Sequence, residues 1–207
     1  MHVPDRWSRI ATAGTLAATL AACAPEPANA PSTTAVYSRT TGRLEQLVSD
    51  EDGDGTPEAR AFMDGTALTR IELDRDANGQ PDRWEYYEPA PAGAAHVADP
   101  AAGTRIVRAE EAHGGDGTVT RREFFEAGVL TRVEEDTDLD GRVDKWETYA
   151  ANVLTRVDLD LSGRGHADRR LVYGPAGEML SVEADSDGDG RFEPVSAAET
   201  GTGGTTP

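Results

Sequence analysis

Asp-rich loops recur along the chain at a fixed spacing, and a fold must accommodate that before anything else. They begin at Asp50, Asp74, Asp136, Asp160 and Asp185, in steps of 24, 62, 24 and 25 residues. The long step hides a decayed copy at Ala112–Thr120 (AHGGDGTVT) and a Pro/Ala/Gly-rich insertion at Glu88–Gly103. Six copies of about 24 residues then cover residues 43–195, the pattern of a chain built by stacking one small unit on the next.

The register holds outside the loops. Three residues before each loop start stand Leu47, Ile71, Ala109, Val133, Val157 and Val182; six before stand Leu44, Leu68, Ile106, Leu130, Leu154 and Met179. Between them the four middle copies carry Arg70, Arg108, Arg132 and Arg156. Twelve and thirteen residues after each of the first five starts come Phe62/Met63, Tyr86/Tyr87, Phe124/Phe125, Thr148/Tyr149 and Val172/Tyr173. The runs are short and rich in Trp, Tyr, Thr, Val and Ile, which favour strands. Turn chemistry separates them: Asp64-Gly65, Ala127-Gly128, Ala151-Asn152 and Pro175-Ala176-Gly177. The expectation is a mostly β meander of short hairpins in which the Asp loops make every second connection. A short helix after each loop would also fit the period, but Gly and Asn then fall mid-helix, where they cost about 1 kcal/mol.

The loops carry the chemistry. Asp136, Asp138, Asp140, Asp144 and Glu147 place side-chain oxygens at loop positions 1, 3, 5, 9 and 12, with Gly141 at 6 and the Arg142 carbonyl at 7. Asp74, Asp76, Asn78, Asp82 and Glu85 do the same, with Gly79 at 6 and the Gln80 carbonyl at 7. Both resemble the calcium loop of EF-hand proteins, a resemblance that implies calcium held by hard oxygens with position 12 folding back as a bidentate carboxylate. Asp50, Asp52, Asp54 and Glu58 keep positions 1, 3, 5 and 9, as do Asp185, Asp187, Asp189 and Glu193, with Ala61 and Ser196 at position 12. Asp160, Ser162 and Asp168 form a weaker copy, because Arg164 puts a cation at position 5; the copy at Ala112 keeps only Asp116 and Gly117. Four loops are expected to bind and two to stay empty. The plainer reading is a set of solvated acidic turns, but carboxylates brought this close repel unless a cation joins them. Magnesium fits less well, since it holds its waters in a strict octahedron.

The resemblance to EF-hands ends with the loop, because paired amphipathic helices are missing. Thrombospondin type 3 repeats are similar in their Asp-x-Asp-x-Asp-Gly runs, and dockerins in loop and period. Six aromatic-bearing copies depart from the two helical copies of a dockerin, which puts a cohesin partner in doubt. The aromatic-turn-Leu-x-Arg-Val part is similar, more weakly, to the tyrosine-aspartate repeats of bacterial shell proteins.

The N-terminus supplies an address. Arg6 and Arg9 precede Ile10–Leu20, a weakly apolar stretch too short and polar to span a membrane. Leu20-Ala21-Ala22-Cys23 follows and resembles the lipobox of bacterial lipoproteins, which implies cleavage after residue 22 and acylation of Cys23. Cys23 is the only cysteine. Residues 1–22 are read as the signal peptide, 23–42 as a flexible tether and 196–207 as a disordered tail. The implied location is the extracytoplasmic face of a bacterial cell envelope, anchored by lipid, with Ala24 after the anchor favouring the outer membrane.

A net charge of −18 excludes a nucleic-acid partner, which needs a basic surface. One Cys rules out an internal disulfide framework. His96, His113 and His166 have no repeated partner, no phosphate loop follows a strand, and metal ligation already explains the paired carboxylates. No enzymatic activity is expected. The functional expectation is structural calcium binding in an adhesive, envelope-structural or partner-binding protein. The alternative is a carbohydrate-binding module that stacks sugars on Trp84, Tyr87, Trp146 and Tyr149, although Trp84 and Trp146 are expected first as core residues.

Overall fold

The computed structural model describes residues 30–90 and 103–195. The expected signal peptide, Cys23, His96 and the tail lie outside the described residues, as does most of the insertion. The described chain is all β. Its strands are β1 (Ser32–Tyr37), β2 (Leu44–Asp50), β3 (Ala59–Asp64), β4 (Ala67–Leu73), β5 (Arg83–Pro89), β6 (Thr104–Ala112) and β7 (Val119–Glu126), followed by β8 (Val129–Glu135), β9 (Lys145–Ala150), β10 (Val153–Leu159), β11 (Arg169–Tyr173), β12 (Met179–Ala184) and β13 (Glu193–Pro194). Strand order in the antiparallel sheet follows the chain. The meander of hairpins expected from the 24-residue period is therefore the fold, and strands, not helices, flank the Asp loops. Two compact units divide at Val107/Arg108, inside β6.

The part of the expected tether that is described contains β1, paired along its length with β2 from Ser32↔Asp50 to Tyr37↔Leu44. Thr33, Thr34 and Val36 give it β-branched character.

In unit 1, cross-strand pairing sets Leu47, Ala61, Ile71 and Glu85 side by side. Alternation puts every second residue of each strand on that face. Ala61, Leu68 and Ile71 are buried there, with Leu47, Met63, Leu73 and Tyr87 packed against them.

Unit 2 builds the same row over more strands: Ala109, Glu123, Val133, Glu147, Val157, Leu171 and Val182. Ala109 and Val133 are fully buried. The repeated apolar residue three before each loop is the core position, and its cross-strand partner is loop position 12. Two of those partners, Glu123 and Glu147, are acids in the buried row, and both are paired. Lys145 Nζ lies 2.8 Å from Glu147 Oε1 and 3.0 Å from Glu135 Oε2. Arg121 reaches Glu123 at 3.3 Å and Glu135 at 3.2 Å. Tyr149 donates its hydroxyl to Glu147 Oε2 at 2.6 Å. Charged groups half-withdrawn from water persist only with such partners.

The opposite face is polar. Across unit 2 one row reads Glu110, Arg122, Glu134, Trp146, Asp158, Arg170 and Glu183. Trp146 stands on this face, and Trp84 stands on the face of unit 1 opposite its own core; both are half-exposed, and not in the core as expected. At position 11 they alternate with position 12, so filling the core with one residue turns the other outward. The repeated arginines also lie on these faces. Arg70 covers the Phe62 ring at 4.1 Å and Arg132 covers Phe124 at 4.2 Å, each from the directly paired residue.

Candidate metal centres

The five loops that open on an aspartate are each wound around it. Asp74 accepts the amides of Asn78 at 3.1 Å and Gly79 at 2.7 Å. Asp136 accepts Asp140 at 3.2 Å and Gly141 at 2.8 Å. Asp50, Asp160 and Asp185 likewise accept the amide of the position 6 glycine, from Gly55, Gly165 and Gly190. Position 6 is left-handed in all six loops, with φ from 75° at Gly117 to 92° at Gly55, which a glycine adopts without strain. Asp74, Asp136, Asp160 and Asp185 are buried. For Asp160, burial pushes the carboxyl upward, but the amides of Arg164 and Gly165 and the Ser162 hydroxyl outweigh it and hold the pKa below the ordinary value.

The remaining positions close the loop. The position 3 carboxylate accepts the amide of position 5 in four loops: Asp52 from Asp54, Asp76 from Asn78, Asp138 from Asp140 and Asp187 from Asp189. Position 5 accepts from position 7, as Asn78 does from Gln80 and Asp140 from Arg142, both at 2.8 Å. Position 9 reaches back across the loop: Asp82 accepts the Arg75 amide at 2.8 Å, Asp144 the Thr137 amide at 3.1 Å, and Glu58 the Glu51 amide at 2.5 Å.

These turns bring carboxylate oxygens together. Asp50, Asp52, Asp54 and Glu58 converge, as do Asp74, Asp76 and Asp82; Asp136, Asp138 and Asp144; and Asp185, Asp187 and Asp189. Within each group the oxygens lie within 4.8 Å of one another. Two unit charges at that distance repel by about 1 kcal/mol in bulk water and several-fold more near a protein surface. All donors are hard oxygens, the set that suits a hard divalent cation. The four loops singled out by sequence can therefore hold a metal ion.

Several expected ligands do not join these groups. Glu85 and Glu147 at position 12 are turned to the buried row. Glu85 accepts Arg83 Nε at 2.8 Å and the Tyr87 hydroxyl at 2.7 Å, matching Glu147 with Lys145 and Tyr149. The reason is that β5 and β9 begin at position 10, so position 12 is already committed to the sheet, where an EF-hand would still be turning. The converging set around Asp136 omits Asp140, and Glu193 sits exposed on β13 opposite Ala184. In the Asp160 loop, Asp168 accepts the Ser162 amide at 2.9 Å and Ser162 donates to Asp160 at 3.2 Å; it is not among the converging groups of the described residues.

Position 4 was not foreseen as special. Gly53, Ala77, Gly115, Leu139, Gly163 and Gly188 all have positive φ there. Glycine in four of six copies was the available signal. The loops are also stitched together: Asp74 N donates to Glu58 O at 2.8 Å, Asp160 N to Asp144 O at 2.8 Å and Asp185 N to Asp168 O at 3.0 Å.

No family model and no curated protein matches this chain. Among solved structures, the crystal structure of accessory secretory protein 1, 2 and 3 in Streptococcus pneumoniae is similar over 62% of this chain and 19% of that one. Identity is 16% and the TM-score is 0.30.

Proposed function

We propose that this protein is a lipid-anchored envelope protein of a bacterium whose repeat body binds calcium structurally. The observation that carries the reading is the convergence of Asp50/Asp52/Asp54/Glu58 and three further carboxylate groups in loops of the same hydrogen-bonded design. Calcium suits them better than magnesium, because it accepts flexible sets of six to eight oxygens. Water and loop carbonyls complete the shell, since Glu85 and Glu147 are engaged elsewhere. Sites of this kind fill at extracellular calcium levels, with Kd on the order of 10⁻⁴–10⁻³ M. Filling them adds binding free energy to a fold with a thin core. The anchor is Cys23, and the body from Cys23 onward, with 18 basic against 37 acidic residues (−19), stands off an anionic leaflet. Its role is binding and architecture, in adhesion, envelope structure or partner capture, and not catalysis.

The test is thermal melting of the chain from Ala24 onward during calcium titration. The expected result is a melting temperature that rises with calcium, falls on chelation, and responds much less to magnesium. Asp76→Ala with Asp138→Ala removes much of the rise. No rise at several millimolar calcium discards the calcium reading. Acylation is tested separately: mass spectrometry of Cys23, with Cys23→Ser expected to release the protein from membranes.

A further inference from the structure

On the polar face of unit 2, Trp146, Asp158 and Arg170 are directly paired neighbours on β9, β10 and β11. Phe192 from the last loop covers the Arg170 guanidinium at 3.9 Å. His166 and Asp185 also line this open groove, which measures about 290 Å³. That is near the lower bound for small-ligand clefts, about 300–1,000 Å³. We propose that this groove binds a neutral pyranose ring of the all-equatorial class, stacked on Trp146.

The groove is held rigidly. Asp158 accepts Arg156 Nε at 2.8 Å on one oxygen and Arg170 Nε at 2.7 Å on the other. Its charge is thereby neutralised and its geometry set. Arg170, fixed by its Nε and by the Phe192 ring, lines the groove beside Trp146. His166 is exposed and supplies a further polar group. A half-exposed indole among Asp158, His166 and Arg170 matches a ring with an apolar C–H face and hydroxyls at its edge. A neutral ligand suits the wall, because Arg156, Asp158 and Arg170 satisfy one another's charge within it. Phe192 is particular to this groove, since the other five loops place Pro57, Pro81, Val119, Val143 and Ala167 at the same position. The groove also separates the four aromatics first considered for sugar stacking. Trp146 lines it, whereas Tyr149 is on the opposite face, bonded to Glu147.

The inference does not rest on calcium occupancy. It is tested on the full chain with cellotetraose and chitotetraose as probes, by saturation-transfer NMR and indole fluorescence, with and without EDTA. The expected result is saturation transfer from at least one of the two, with a Kd in the millimolar range. Trp146→Ala and Phe192→Ala weaken binding about tenfold or more, while Trp84→Phe leaves it unchanged. Phe192→Ala alters an exposed loop, so it reports even if Trp146→Ala fails to fold. No transfer from either probe at about 50 mM overturns the proposal. So does binding that survives Phe192→Ala and Arg170→Gln at full strength, or an equal response to adenosine, which shares only the flat stacking face.

Discussion

The backbone amide of Asp160 donates to the carbonyl of Asp144 at 2.8 Å. Asp144 contributes its carboxylate to one converging group, and Asp160 opens the next loop, which has none. Ordering the first loop therefore steadies an amide in its neighbour. Hydrogen exchange provides the readout. Calcium is expected to slow exchange at Asp160 N although its own loop gathers no carboxylate trio, and Asp144→Asn is expected to abolish that slowing.

Asp136 and Asp138 belong to one group but do different work. Asp136 is buried and accepts two loop amides, so Asp136→Ala leaves two part-buried hydrogen bonds without their acceptor. A loss of about 1–3 kcal/mol is expected even in EDTA. Asp138 is exposed, and Asp138→Ala should be close to neutral in EDTA while weakening calcium binding. Urea melts of both variants with and without calcium separate the two roles.

Glu147 should prove to be a fold residue and not a ligand. Glu147→Gln is expected to cost about 1–3 kcal/mol and to leave the calcium titration unchanged. A weakened calcium midpoint would restore it as a ligand.

The same residue sets a pH dependence. Burial pushes Glu147 upward, but Lys145 and Tyr149, with Arg121, outweigh it and lower its pKa from 4.5. Its stabilisation is thus complete above pH 4.5 and is lost as pH falls through the lower folded value. Tyr149 is raised from 10.0 by burial and by its bond to Glu147. Its contribution is present below pH 10 and disappears as pH rises through the folded value. Stability in EDTA should form a plateau between these limbs, and Glu147→Gln should flatten the acid limb.

Leu139 stands at φ 64° and is 58% exposed, at a position where four other loops have glycine. A left-handed leucine costs about 1–2 kcal/mol. Leu139→Gly relieves that strain but frees the unfolded chain, so a net gain of a few tenths up to about 1 kcal/mol is expected. Ala77→Gly should gain less, alanine being the smaller side chain. Chemical denaturation of each variant checks the sign.

Much of this was legible because the sheet repeats whatever the period repeats. Leu47, Ile71, Val133 and Val157 announced the buried row, and Asp50, Asp74, Asp136 and Asp185 announced the four converging loops. What misled was a coincidence of spacing. An acid at position 12 reads as a calcium ligand when the sequence is laid on an EF-hand, yet the residue depends on where the strand starts. Lys145 at position 10 was the clue: Lys145, Glu147 and Tyr149 alternate as a salt-bridged strand face does. The position of Trp146 followed from the same parity. β1 was hidden because it precedes the first loop and so lies outside the repeat.

The stitching of one loop's first amide to the preceding loop's ninth carbonyl has a consequence for how such a chain grows. Within unit 2, each 24-residue copy offers its successor the same edge that it received from its predecessor. A tandem gene duplication in frame would add a hairpin and a loop without forcing any existing side chain to find a new neighbour. Length is then a quantity that selection can adjust in whole units, and the decayed copy at Ala112 shows that one unit can lose its acids while the scaffold carries on through it.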